Sequence, residues 1–209
     1  MTLLILFSTV TATLAQDALF TVPEADPMAR ILTPEKTDLT PRTGPEALDL
    51  YLRNCSAVEH PTLDEERHLG QCLCTASLMK DRFSEADTVS MFGNTLKSQK
   101  LRDDALKRAF APCMADTIND LTLSECNSGG QMDTLHYQND VCACYAQSMR
   151  ATLSKKAEWM ADEYISYYKS YAPDPLAFYM NSPRLEEDMT YNFRKCLGWY
   201  ETGRKNNAR

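Results

Sequence analysis

The feature that most constrains this chain is a Cys-x-Cys doublet that occurs twice, at Cys72 to Cys74 and at Cys142 to Cys144. Each doublet follows a single cysteine, by 17 residues in one case and 16 in the other, and precedes another. The two groups are Cys55, Cys72, Cys74, Cys113 and Cys126, Cys142, Cys144, Cys196. Self-similarity at a regular spacing indicates a repeated folding unit. The pattern therefore predicts one cysteine-rich module used twice.

Residues other than cysteine repeat in the same register. The residues Ala76, Met79, Lys80 and Ser84 after the first doublet match Ala146, Met149, Arg150 and Ser154 after the second. With 209 residues, the chain is long enough for two such modules and a hydrophobic core. We predict module 1 over residues 46–115 and module 2 over residues 116–201, followed by a basic tail at 202–209.

The first 45 residues differ in composition from the rest. Residues 1–15 form a short apolar run, which predicts a secretory signal peptide cleaved after Ala15. The sequence from Ala15 to Ala18 resembles the signal-peptide ends of exported proteins of Gram-negative bacteria, and this resemblance implies the periplasm. Residues 16–45 contain five of the ten prolines, so we expect an extended tether. No later run is apolar enough for a bilayer span, and we expect no transmembrane segment in the mature chain.

An even number of cysteines in an exported chain predicts disulfides, because oxidising compartments preserve them and the cytosol does not. We expect four bridges in a periplasmic or secreted protein. Two residues along a helix rotate the side chain by about 200°, so the two cysteines of a doublet cannot bond to each other. One must reach back to the preceding single cysteine and the other forward to the closing one. The sequence leaves open which cysteine does which.

Apolar periodicity predicts an all-α fold, because period-two strand patterns are absent. We expect helices at 46–59, through both doublets, and at about 84–97, 100–110, 154–171 and 183–200. A capping box from Thr62 to Glu65 predicts the start of the first doublet helix. Pro112 is expected to end or bend the helix that carries Phe110.

The first doublet helix carries an apolar stripe that we expect to be buried. Its members are Leu69, Cys72, Leu73, Ala76, Met79 and Phe83. Cys74 lies on the opposite face with Gly70, where the missing side chain leaves room for another backbone.

Charge excludes one large class of partners. The sequence has 22 basic and 29 acidic residues, a net charge of −7, so we expect no nucleic-acid partner, which would require clustered positive charge. The second half is the more acidic, with seven basic and twelve acidic residues in 114–196. A cationic partner could be steered there. The sequence also lacks phosphate-binding and dinucleotide-binding motifs, and we expect no cofactor and no catalytic residue.

Metal binding and thiol exchange are the alternative uses of the doublets. Cys-x-Cys can chelate copper(I) or zinc, and His68 lies one turn before Cys72, so a weaker hypothesis assigns a metal site to His68, Cys72, Cys74, Cys142 and Cys144. Redox-active pairs usually lie at a helix N-terminus, whereas these doublets lie deeper in their helices. We therefore expect structural disulfides.

A binding surface is expected in the second module. Its closing segment spans 52 residues against 39 in the first, and the extra length includes a tyrosine stripe. The candidate surface is Tyr164, Tyr167, Tyr168, Tyr171 and Trp159. Aromatic side chains with polar tips are frequent at interfaces. The sequence thus predicts a non-catalytic, disulfide-stabilised binding protein for a protein or small ligand; the alternatives are a copper or zinc thiol protein and an enzyme with its site in this insertion.

Overall fold

The computed structural model describes residues 40–128, 137–168 and 174–207, and their side chains except at 168 and 201–207. The helices are α1 (Gly44–Ala57), α2 (Glu65–Arg82), α3 (Glu85–Ser90), α4 (Leu96–Ala105), α5 (Ala111–Ser128), α6 (Gln138–Glu163), α7 (Pro175–Met180) and α8 (Pro183–Asn207). The described residues contain no β-strand, which confirms the all-α prediction. The predicted signal peptide, and the predicted tether up to residue 39, lie outside them.

Side-chain caps fix where the first two helices begin. Thr43 accepts a hydrogen bond from the Glu46 N–H (3.3 Å) at the start of α1. Asp64 accepts one from the Arg67 N–H (2.8 Å) at the start of α2. The prediction that Thr62 caps α2 is wrong. In a capping box the Thr62 N–H would donate to the Glu65 side chain, but it donates to a histidine ring, and Asp64, which is at least as good a cap, takes the position.

The helix does not end at Pro112. Instead, a π-helical segment at Leu106–Phe110 joins α4 to α5, so that helical structure continues over 96–128. Pro112 has no N–H with which to bond the Arg108 carbonyl four residues earlier. The Arg82 guanidinium of α2 donates to that carbonyl, and Arg108 donates back to the Arg82 carbonyl (3.2 Å). A side chain thus satisfies the carbonyl group that Pro112 leaves without its usual backbone donor. A second π-helical segment, at Tyr164–Tyr168, extends α6.

One helix joins the two groups of cysteines. α5 carries Cys113, the last cysteine of the first group, and Cys126, the first of the second. The helix runs through the predicted boundary between residues 115 and 116, and it packs along α6 more extensively than any other pair of described elements. The buried apolar side chains of α1, α2, α5 and α6 belong to one core.

The four disulfides resolve the pairing that the sequence left open. They join Cys55 to Cys72, Cys74 to Cys113, Cys126 to Cys142, and Cys144 to Cys196. In both groups the first cysteine of the doublet reaches back and the second reaches forward. Each doublet helix is therefore fixed on two sides, and all eight cysteines are bonded.

The buried face of α2 is rotated relative to the predicted stripe. Leu69 is 43% exposed and Leu73 is 51% exposed, so the prediction that both are buried is wrong. Polar Gln71 and Thr75 take their place in the interior. Gln71 donates to the Phe110 carbonyl (3.2 Å) and accepts a hydrogen bond from a threonine hydroxyl of α5. Thr75 donates to the Gln71 carbonyl (2.8 Å). Because these groups are hydrogen-bonded, burying them is inexpensive.

Each helix in the described part of the chain falls short of the length or the apolar character that a bilayer crossing requires.

Candidate functional site

The loop before α2 and the first turns of that helix enclose a groove of about 470 Å³, which we call the histidine groove. It is lined by two of the three histidines of the sequence, His60 and His68, together with Glu59, Asp64 and Glu65. The histidines are tilted against each other, with ring centroids 5.3 Å apart. Both are nearly buried, so the groove has imidazole walls and an acidic rim.

His60 uses both of its ring nitrogens inside the protein. Nδ1 accepts from the backbone N–H groups of Thr62 (3.2 Å) and Leu63 (3.1 Å). The proton is therefore on Nε2, which donates to Asp174 Oδ2 (2.9 Å). Asp174 Oδ1 in turn accepts from the Ala177 N–H (2.8 Å) at the start of α7. His60 thus ties the loop before α2 to the start of α7, and neither nitrogen is available to a ligand.

The second imidazole of the groove, His68, has a pKa below its ordinary value. Burial lowers the pKa of His68, the nearby His60 lowers it further, and the negative charge of Asp174 partly offsets both effects. His68 Nε2 lies 3.9 Å from the Cys55 Sγ. The lowered pKa favours the neutral imidazole, which lies against the Cys55–Cys72 disulfide.

Of the residues in the metal hypothesis, His68 and Cys72 lie close together, with Cys55 beside them. Ligand atoms of Cys55, His68 and Cys72 lie within 4.8 Å of one another. However, the two sulfur atoms are bonded to each other and so offer no thiolate. Cys74 belongs to a different bridge, and Cys142 and Cys144 are likewise bonded to distant partners.

A second groove of about 550 Å³ lies beside the first. We call it the disulfide groove, because the Cys74–Cys113 bridge lines it. Leu69 lines both grooves, so they meet along α2. Gly70 lies in this second groove, and a methyl group added to it would meet no atom within 4 Å. The room that the sequence predicted above Gly70 is present, but no backbone of the described residues approaches it.

An apolar stripe runs along both grooves. It consists of Val58, Leu69 and Leu73, which are 43%, 43% and 51% exposed. Leu69 and Leu73 are one turn apart on α2 and so adjacent on its surface. Exposed aliphatic side chains that cluster are typical of an interaction site, whereas single ones are not.

The rim of this stripe is strongly acidic. The two grooves are lined by six acidic side chains, Glu59, Asp64, Glu65, Glu66, Asp116 and Asp120, and by one basic side chain, Arg67. Arg67 pairs with Asp64, and Asp116 pairs with Arg150 (2.7 Å). The remaining four carboxylates form no ion pair within the described part of the chain. Glu65 and Glu66 also suit the positive end of the α2 dipole, but Glu59 and Asp120 lie elsewhere.

The predicted aromatic surface is divided by the fold. Tyr164 is fully buried and contacts Phe178, whereas Trp159 is 50% exposed and Tyr167 is 73% exposed. The Arg184 guanidinium lies over the Trp159 ring, 4.4 Å from its centroid. The Tyr168 side chain and all of Tyr171 lie outside the described residues. Of the three members whose side chains the structure describes, Trp159 and Tyr167 are exposed to a partner and Tyr164 is not.

Sequence reasoning missed the groove for identifiable reasons. Leu69 and Leu73 fit a buried stripe by spacing, and only the burial of Gln71 and Thr75 shows that the helix is turned. Asp174 lies 114 residues from His60, and no local pattern connects them. The dense acidic run from Asp64 to Glu66 is a signal that is visible in the sequence.

Comparison with known proteins gives no relative from which a function could be transferred. The chain matches no protein-family model, and no curated protein or solved structure matches it significantly.

Proposed function

We propose that this is an exported, periplasmic, non-catalytic binding protein that holds a positively charged amphipathic helix of a partner protein. The binding face consists of the histidine groove and the disulfide groove. The supporting observation is the coincidence of one exposed apolar stripe with six acidic side chains around it. An amphipathic helix presents apolar side chains at the same one-turn spacing as Leu69 and Leu73.

The rigidity of α2 supports a binding role. Cys72 fixes the helix to α1, and Cys74 fixes it to α5 on another side. The stripe is thus presented on a surface that does not need to be ordered on binding, which reduces the entropic cost of association. The carboxylates add long-range attraction for a cationic partner and discriminate against an anionic one.

Export is supported by the disulfides. Four bridges are typical of an oxidising compartment. Intact mass of the protein recovered from the periplasm should correspond to a chain that starts at Gln16 and takes up no alkylating reagent. A retained N-terminus, or modification of any cysteine, would contradict this part of the proposal.

Binding is tested with a synthetic helical peptide of leucine and lysine at amphipathic spacing, labelled for fluorescence anisotropy. A peptide of the same composition in scrambled order serves as the control. The ordered peptide should bind more tightly, and its affinity should fall as salt screens the carboxylates. Equal binding of both peptides would mean that charge alone acts and would contradict the groove.

Two matched variants locate the site. Leu73→Arg places a charge in the stripe and should weaken binding about tenfold or more. Leu96→Arg changes another exposed leucine, 68% accessible, and should leave binding unchanged. Equal effects of the two variants would exclude the proposed face.

A further inference from the structure

A helix with the properties required of the partner is present in the chain itself. α8 packs its inner face on the core through residues such as Asn192 and Cys196, and Cys196 is bonded to Cys144 of α6. Its outer face carries Tyr191 and Trp199, each 66% exposed. They are eight residues apart and so about 12 Å apart along the helix.

Positive charge accompanies these aromatic side chains. Lys195 lies one turn from each of them on the same face, and Arg194 is adjacent. Both are exposed, and neither forms an ion pair with the rest of the described chain. The sequence from 200 to 209 adds three basic residues and one acidic residue. The part of α8 from Tyr191 to Trp199 is therefore an apolar and cationic surface, and Glu186 and Glu187 lie one turn before it.

We propose that the occupant of the binding face is the outer face of α8 from a second copy of this chain. This inference rests on the proposed function and names its partner. Tyr191 and Trp199 would contact the stripe formed by Val58, Leu69 and Leu73. Arg194 and Lys195 would face the carboxylates that lack an ion pair, such as Glu59 and Asp120.

The two surfaces are different, so the contact is head-to-tail. One copy offers its groove and the next offers α8, which leaves a free groove at one end and a free helix at the other. Such contacts extend into chains or close into rings and do not stop at a symmetric dimer. Because the attraction is partly between exposed charges, it should weaken with salt.

Sedimentation of the full mature protein over a concentration series tests the proposal. The average mass should rise with concentration beyond that of a dimer at about 20 mM salt, and should fall at about 500 mM. Leu73→Arg removes the groove, and the double variant Lys195→Glu with Trp199→Ala removes the helix face. Each variant should lose about tenfold or more of the association constant, whereas Leu96→Arg should behave as the parent protein.

Mixing the two defective proteins gives the sharpest result. The Leu73→Arg chain keeps its α8 and the double variant keeps its groove, so a one-to-one mixture should form a dimer that grows no further. A contact between two like surfaces, such as groove against groove, would give no such rescue. A parent protein that is monomeric at all concentrations, or a mixture that fails to associate, would overturn the proposal. Circular dichroism confirms that each variant is folded.

The peptide assay distinguishes failure of the second-copy proposal from failure of the groove itself. It is repeated on the double variant, whose altered α8 cannot compete with the peptide for the groove of another copy. Peptide binding with a monomeric parent protein would leave the groove proposal standing and remove the second copy as its partner. Absence of both would remove both.

Discussion

The two doublet helices, α2 and α6, share an inner face and differ on the outside. Taking Cys72 as equivalent to Cys142, Met79 corresponds to Met149, and both methionines are fully buried. Ala76 and Ala146 are likewise buried. These matched positions are therefore buried in both helices, next to bridges that pair in the same order. The part of the pattern that repeats is the part that supports the fold.

The outer faces show where the two helices have different tasks. The exposed Leu69 and Leu73 of α2 correspond to Asn139 and Ala143 of α6. Gly70 corresponds to Asp140. The apolar stripe is thus specific to α2, although the frame beneath it is shared. This difference indicates that the stripe is not required by the frame.

The largest effects are expected from the bridges, and they should follow loop length. Replacing Cys144 and Cys196 by alanine opens a loop of 52 residues and should cost about 4 kcal/mol of unfolding free energy. Replacing Cys126 and Cys142 opens 16 residues and should cost about 3 kcal/mol. Chemical denaturation measures both. A larger loss for the short loop would show that local packing, rather than the entropy of the unfolded chain, determines how much each bridge stabilises the protein.

Truncation of the matched methionines tests whether the inner faces are equivalent. Met79→Ala and Met149→Ala each leave a cavity in the core and should each cost about 3 kcal/mol. Leu96→Ala, at an exposed position, should cost far less. A loss confined to one methionine would contradict the comparison, since the two helices would then differ inside as well as outside.

A smaller effect of opposite sign is expected at the matched outer positions. Gly70→Ala introduces a better helix former into open space and should stabilise the protein by about 1 kcal/mol. Asp140→Ala removes an acidic residue from the first turn of α6 and should destabilise it by about 0.5 kcal/mol. Thermal unfolding of both variants measures the difference. Destabilisation by Gly70→Ala would show that another part of the chain occupies the space above it.

The smallest effect is a pH dependence present in α2 alone. His68 corresponds to Gln138 in α6, which does not titrate. Burial and the nearby His60 lower the pKa of His68 below its ordinary value of about 6.5. The unfolded chain then binds a proton more readily, so this contribution to stability is complete above pH 6.5 and is lost as the pH falls through the lowered pKa.

His68→Gln makes the first helix resemble the second and should remove this component. Denaturation midpoints of the parent and the variant, measured between about pH 5 and 8, give the difference. Parallel curves would contradict the assigned pKa direction. Every other titratable group is present in both proteins, so the difference between the two curves reports the replacement of His68.

Local patterns predicted the frame well. The spacing of the doublets and the 100° rotation per helical residue determined that each doublet must be bonded in two directions. The periodicity of Ala76 and Met79 placed them in the core. These features depend on near neighbours in sequence, and near neighbours in a helix have fixed geometry.

The candidate site required information that spacing does not carry. Gln71 is buried because the Phe110 carbonyl and the Thr117 hydroxyl are its hydrogen-bond partners, and Thr75 bonds to the Gln71 carbonyl within α2. With these two residues inside, Leu69 and Leu73 face outward. The Pro112 position depends on an arginine 30 residues away in sequence. The tyrosine stripe was divided because Tyr164 contacts Phe178 in the core. Each of these outcomes depends on a contact between distant parts of the chain.

The central claim is that α2, and not α6, presents the binding face. It is tested most directly by an amide chemical-shift titration of the isotopically labelled double variant of α8 with the leucine and lysine peptide. The account predicts that shifts concentrate on residues 58–73 and on the facing side of α5 around Asp116 and Asp120. Shifts that concentrate around Asn139 and Ala143, or that spread evenly over all acidic surfaces, would contradict it.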